Sequence, residues 1–171
     1  LKGDIKPQGA KNEALQVLCA VLLTDQPVRI KNLPDIADVN NQIRLLEQAG
    51  VELKRNAPGD FTFCAKQVRV ESIMSQELLD GCSNLRGSVK LLGPLLARSG
   101  QAAMSRPGGD KIGRRRLDTH FMGMERLGAT FEYDDARGVY TICAKELHGA
   151  YMLLDEASVT GTANIIMAAV T

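Results

Sequence analysis

Aromatic side chains are scarce, at 4% of the 171 residues. Proteins that bind single-stranded nucleic acid stack bases on aromatic rings, and this chain has few to offer. Charge of either sign is not in excess: 21 Lys and Arg stand against 20 Asp and Glu, a net charge of +1. That balance gives no global attraction to a polyanion or an anionic membrane, so any electrostatic function must come from local clusters. There are two histidines, and the four cysteines (Cys19, Cys64, Cys82 and Cys143) form no CxxC pair. The ligand spacing of a zinc site is missing, and neither a metal nor another cofactor is expected. Cys19, Cys64 and Cys143 lie among apolar neighbours, where a free cysteine packs as a small core residue. That usage is expected of a reduced, cytoplasmic protein. The longest strongly apolar run, residues 14–23, is interrupted by Gln16 and falls well short of the roughly 20 residues needed to span a bilayer. No charged segment precedes an apolar signal core. Neither nucleic acid nor membrane is expected as a partner. The sequence begins at Leu1 and stops at Thr171 inside an apolar run, which reads as a piece of something longer.

What the sequence has is self-similarity. "IRLLEQAGVELKRNAPGDFTFCAK" from Ile43 and "FMGMERLGATFEYDDARGVYTICAK" from Phe121 both read as the end of an amphipathic helix, a C-cap glycine (Gly50 or Gly128), and two short strands joined by a Gly-containing turn. Gly50 and Gly128 are 78 positions apart; one extra turn residue puts Cys64 and Cys143 79 apart. A second element recurs three times: "GAKN" at Gly9, "GCSN" at Gly81 and "GTAN" at Gly161, each followed by a mostly apolar helical stretch. Together they define a unit of about 75 residues. The expected unit is strand, apolar helix, strand, amphipathic helix, strand, strand, with Val28–Ile30, Gln101–Ser105 and Phe61–Cys64 as strands. A helix apolar on all sides is buried, so the helices after Lys11, Asn84 and Ala163 are expected inside. The amphipathic helices carry Asn40, Asn41, Arg44 and Glu47, or Asp118, His120, Glu125 and Arg126, toward solvent. The predicted fold class is α/β, an inverted barrel with helices inside and repeated βαβαββ units. The units fall at about 1–75, 76–150 and a truncated 151–171, within one incomplete domain.

Three places hold candidate chemistry. Lys11 and Asn12 open a buried helix, where backbone amides and a lysine attract anions; a solvated lysine ahead of a helix is the plain alternative. Arg86 sits among Leu85, Val89, Leu91 and Leu92, either as a phosphate ligand or as a side chain snorkelling to water. "RPGGDKIGRRRLDTH", residues 106–120, is a glycine-rich insertion with five cations (Arg106, Lys111, Arg114, Arg115, Arg116) against Asp110 and Asp118. It suits a lid over an anionic substrate, a solvated basic loop, or a nucleic-acid contact. His120 begins a helix, where it caps or touches a ligand; His148 reads as structural.

"GAKNEAL", Arg86 within "NLRGSVKLLGPLLAR", "PGGDKIGRRRLDTH" and "DEASVTGTANI" together resemble the UDP-N-acetylglucosamine 1-carboxyvinyltransferase family of enolpyruvyl transferases, across essentially all 171 residues. The resemblance implies the helices-inside barrel, with this sequence as most of one of two domains and the second domain absent. It also implies transfer of the enolpyruvyl group of phosphoenolpyruvate to the 3-hydroxyl of UDP-N-acetylglucosamine, the first committed step of peptidoglycan synthesis, with no cofactor and two small-molecule substrates as partners. By the same resemblance Lys11 contacts phosphoenolpyruvate, Asn12 the sugar, and Arg86 and Arg115 the phosphate groups. Arg115, Arg116, Leu117, Asp118 and Thr119, with Glu156, Ala157, Ser158 and Val159, line the uridine and diphosphate. Asp110 is the acid of the lid. Four positions depart from the family pattern: Asp110 replaces a frequent cysteine, Arg116 a proline, Glu156 a lysine and Lys90 a tryptophan. The alternatives are the shikimate-pathway enolpyruvyl transferase, whose lysine motif is closer to "GDKS" and which lacks the PGG loop, and a nucleic-acid-binding module using Arg114, Arg115 and Arg116.

Overall fold

The computed structural model describes residues 2–5, 7–106 and 116–170. After α1 (Lys11–Ala20) and a 3-10 turn (Val21–Leu23) come β1 (Val28–Ile30), α2 (Ala37–Gln48), β2 (Glu52–Ala57) and β3 (Asp60–Cys64). The next stretch has α3 (Val70–Ile73), α4 (Gln76–Ser83), a 3-10 helix (Arg86–Leu91), α5 (Leu92–Ser99), β4 (Gln101–Ser105), α6 (Asp118–Arg126), β5 (Thr130–Asp134) and β6 (Val139–Cys143). Finally α7 spans Val159–Ala169.

The repeat is visible in the strands. Both sheets are antiparallel, ordered β1-β3-β2 and β4-β6-β5, so each unit places its last strand in the middle. Leu53 pairs with Phe63 in one hairpin and Phe131 with Ile142 in the other. Phe63 and Ile142 are both buried, and the two-residue period of a strand turns Cys64 and Cys143 outward. The expectation that those two cysteines pack in the core is therefore corrected: Cys143 is exposed and Cys64 half-buried, while Cys19 and Cys82 are interior. Gly50 and Gly128 end the preceding helices with φ of 100° and 101°, a backbone state open to glycine at little cost.

Between the sheets, α5 packs on α7 and on the 3-10 turn after α1, and α1 packs on α2 and on the 3-10 helix. Leu92, Leu95 and Leu96 of α5 are each 1% exposed, so α5 is the centre of the interior. The apolar stretch after Asn84 is not one helix. Pro94 has no N–H, and its ring would collide with the carbonyl four residues back, that of Lys90. The chain therefore runs as 3-10 to Leu91 and restarts as α5, which places Pro94 in a first turn, where a missing N–H costs nothing.

Two expectations need adjustment. The helix after Gly161 starts earlier, at Val159, and it buries Ile165, Met167 and Ala168 while Val159, Ile166 and Val170 stand exposed. Among the described residues no strand leads either unit. Residues 150–154 instead run alongside α7 unpaired, with Met152 and Leu154 packed inward and Tyr151 and Leu153 exposed. The alternation of a strand is present; the neighbouring ladder that would make it one is not.

Candidate functional site

The amino end of α1 is set by a close approach. A Cβ on Gly9 would lie 2.0 Å from the Asn32 carbonyl oxygen, so the "GAKN" glycine lets the start of α1 rest directly on the backbone that follows β1. Among the described residues α1 begins without a side-chain cap, and first-turn amides of that kind favour negative charge. The Lys11 ammonium is held 2.9 Å from Asp38 in the first turn of α2. Asn12 is exposed beside it.

A second cluster joins three helix starts. Arg86, at the head of the 3-10 helix, reaches from Nη2 to the Arg116 carbonyl oxygen at 3.4 Å. The Arg116 guanidinium contacts Asp118 at 2.7 Å through Nε and Asp155 at 3.2 Å through Nη2; hydrogen bonding to Asp118 raises its already high pKa. Thr119 donates to the other Asp155 oxygen at 2.8 Å. Asp155 therefore clasps the start of α6 to the segment before α7. Ser158 caps α7 by accepting from the Gly161 N–H. Thus Arg86, Arg116, Asp118 and Thr119 are brought to residues 155–158, with Leu117 half-buried between them and Glu156, Ala157 and Val159 exposed. Lys11 and Asn12 stand at the start of α1. Asp110 and Arg115 lie outside the described residues, as do Lys111 and Arg114.

His120 corrects an expectation: it is not on the solvent face of its helix but 2% exposed. Burial first, then the charges of Arg86 and Lys90, push its pKa down from 6.5 to about 4. Its ring bonds Thr160 and Asn164. Lys90 is also interior, and burial lowers its pKa; the Cys19 thiol near it is pushed up to about 12 by burial. His148 donates its backbone N–H to Leu127 and lays its ring over Gly128. Sequence reasoning missed Asp38 and Asp155 as partners, and it passed over Asn164. The one available signal was an amide inside the apolar "ANIIMAA" stretch, since a buried polar group requires partners.

The family model for EPSP synthase (3-phosphoshikimate 1-carboxyvinyltransferase) matches residues 1–171. The chain belongs to the EPSP synthase family. Within that family it is 58% identical over 170 residues to a UDP-N-acetylglucosamine 1-carboxyvinyltransferase of Bacteroides thetaiotaomicron, covering 99% of this chain and 39% of the relative. It is 56% identical to the one from Porphyromonas gingivalis, with the same coverage. The chain thus spans about two fifths of the length of these curated relatives. Its structure is similar to the enolpyruvyl transferase NikO from Streptomyces tendae, with a TM-score of 0.67 at 26% identity over 86% of this chain and 31% of that one. An EPSP synthase from Acinetobacter baumannii shares the fold, with a TM-score of 0.69 at 16% identity over 97% of this chain and 37% of that one. The fold of this family member is the α/β, helices-inside arrangement of the enolpyruvyl transferases. Among the described residues no helix is long and apolar enough to cross a membrane.

Proposed function

We propose that this protein transfers the enolpyruvyl group of phosphoenolpyruvate to the 3-hydroxyl of UDP-N-acetylglucosamine, releasing phosphate. The observation that carries this reading is the clasp of residues 116–119 to residues 155–158 at the starts of α6 and α7, with Arg86 alongside. Two helix starts side by side offer amide donors and dipoles to an anionic group, as a diphosphate requires. The 58% identical relative is named for this reaction.

In this reading the sugar hydroxyl adds to C2 of phosphoenolpyruvate while C3 gains a proton, and loss of phosphate from the tetrahedral ketal leaves the enol ether. Lys11, steadied by Asp38, faces the phosphoenolpyruvate anion, and Asn12 the sugar. Arg86 and Arg115 supply charge to the phosphates. Arg116, Leu117, Asp118 and Thr119, with Glu156, Ala157, Ser158 and Val159, form the uridine and diphosphate wall. Because the Arg116 guanidinium is already engaged by two carboxylates, its part is to hold that wall together. Asp110 is the acid of the lid. Such a route draws on general acid–base help and stabilisation of developing charge. The units at about 1–75, 76–150 and from 151 onward belong to one domain of this enzyme, and the remaining part of the site lies beyond the chain. The partners are the two small substrates, and the setting is the cytoplasm.

The test is phosphate release by the complete gene product. Release that requires both phosphoenolpyruvate and UDP-N-acetylglucosamine is expected. Release driven by shikimate 3-phosphate in place of the sugar nucleotide would overturn the assignment.

A further inference from the structure

His120, Asn164 and Thr160 have no part in the roles given above. Asn164 is 0% exposed and His120 2%, and the direction of every hydrogen bond between them follows by elimination. The Gly93 N–H can only donate, so the Asn164 atom 2.8 Å from it is the oxygen Oδ1. Nδ2 then carries two hydrogens. One goes to the Val89 carbonyl oxygen at 2.8 Å, and the other to His120 Nδ1 at 3.0 Å. Nδ1 must accept, so it bears no proton, and the neutral ring carries its hydrogen on Nε2. Nε2 lies 3.3 Å from Thr160 Oγ1. The Thr160 oxygen accepts that hydrogen, which leaves its own hydroxyl hydrogen turned away from the ring. Thr160 is the second residue of α7, exposed, and directly follows the 156–159 segment.

We propose that Thr160 is a further ligand-binding residue, whose hydroxyl hydrogen, aimed outward by a His120 tautomer that Asn164 locks, donates to an anionic oxygen of the sugar nucleotide at the start of α7. His120 and Asn164 are positioning residues in this scheme; neither touches the ligand. The inference rests on the proposed function, and it adds to that reading a donor whose orientation is set from the interior. A hydroxyl bonded to a charged oxygen contributes enough that its removal weakens binding about tenfold to a hundredfold.

The experiment is titration of UDP-N-acetylglucosamine into the complete gene product, with nitrogen NMR of the imidazoles at neutral pH. Thr160→Val keeps the shape and is expected to weaken binding by that factor; Thr160→Ser is expected to stay within a few-fold of wild type. Asn164→Asp removes the donor to His120 and puts a proton on Nδ1; if nitrogen NMR shows the neutral Nδ1–H ring, the Thr160 hydroxyl turns inward and the Thr160→Val loss is expected with the hydroxyl still present, whereas a doubly protonated ring keeps Nε2–H on Thr160 and near wild-type affinity is expected. Because Asn164→Asp buries a carboxylate, the surface variant carries the decision if that protein does not fold. Wild-type affinity in Thr160→Val, or a His120 proton found on Nδ1, would overturn the inference alone. A wild-type protein that does not bind the sugar nucleotide would overturn it together with the proposed function.

Discussion

Protonating His120 would set an N–H against the Asn164 amide hydrogens, in a site 2% exposed. The unfolded chain takes up that proton near pH 6.5 and the folded one only near pH 4. Between these values the unfolded state binds more protons, so stability is complete above pH 6.5 and drains away as the pH falls through 4. The loss amounts to about 3 kcal/mol. Urea midpoints measured from pH 7.5 to 4 should fall accordingly, and His120→Asn, though less stable at neutral pH, should show a flatter profile. Asp60, held down to about 2 by Arg29, titrates below this window and does not confuse it. Asp110 permits a second residue-scale prediction, from sequence alone. The family resemblance puts a cysteine at its place, and a thiolate opens epoxides such as fosfomycin far faster than a carboxylate does. The complete gene product should therefore resist that drug with Asp110 intact, Asp110→Cys should acquire a covalent adduct by mass spectrometry while staying active, and Asp110→Ala should lose activity. A fully active Asp110→Ala protein would remove Asp110 from the lid chemistry. How far single residues were legible is shown by Asn164: its need for partners could be read from its apolar surroundings, but Gly93 and Val89, 71 and 75 positions away, could not.

At the scale of elements, two glycines let α7 approach its neighbours, and they differ in what they meet. A Cβ on Gly93 would stand 2.2 Å from the Asn164 backbone oxygen, whereas one on Gly123 would stand 2.1 Å from Ile165 Cδ1. Backbone cannot step aside, but the end of an isoleucine can rotate. Gly93→Ala should cost about 3 kcal/mol, the upper end for overpacking. Gly123→Ala should cost about 1 kcal/mol, and that increment should vanish when measured in an Ile165→Ala background, which carries its own cavity cost of about 2–5 kcal/mol. Equal losses in chemical denaturation would refute this distinction. Strands were the most legible elements, because Val28–Ile30 and Gln101–Ser105 are each bounded by turn residues; both stand where the pattern put them. The stretch after Asn84 was less legible, since apolarity alone does not distinguish one helix from a 3-10 helix and an α-helix in series; Pro94 held the answer. His120 was misplaced because a helical period shows which residues share a face but not what packs on that face, and α7 covers it.

For the molecule as a whole, the duplicated sheets were foreshadowed by the two hairpin sequences, while the clasp through Asp155 was not, since it depends on how the start of α6 meets the segment before α7. The chain spans two fifths of its relatives' length, and in the proposed reading the rest of the site lies outside it. The isolated 171-residue polypeptide is accordingly expected to release no phosphate from phosphoenolpyruvate with UDP-N-acetylglucosamine present, and measurable turnover would show the site to be self-sufficient. The Asn164 clamp has a further consequence. The Gly93 N–H is bonded to a side chain on α7 rather than to a carbonyl of its own helix, so its exchange with deuterium is slowed by the docking of a distant helix. Its exchange rate, compared with those of the amides around it in α5, makes one proton a clock for how often α7 leaves the interior.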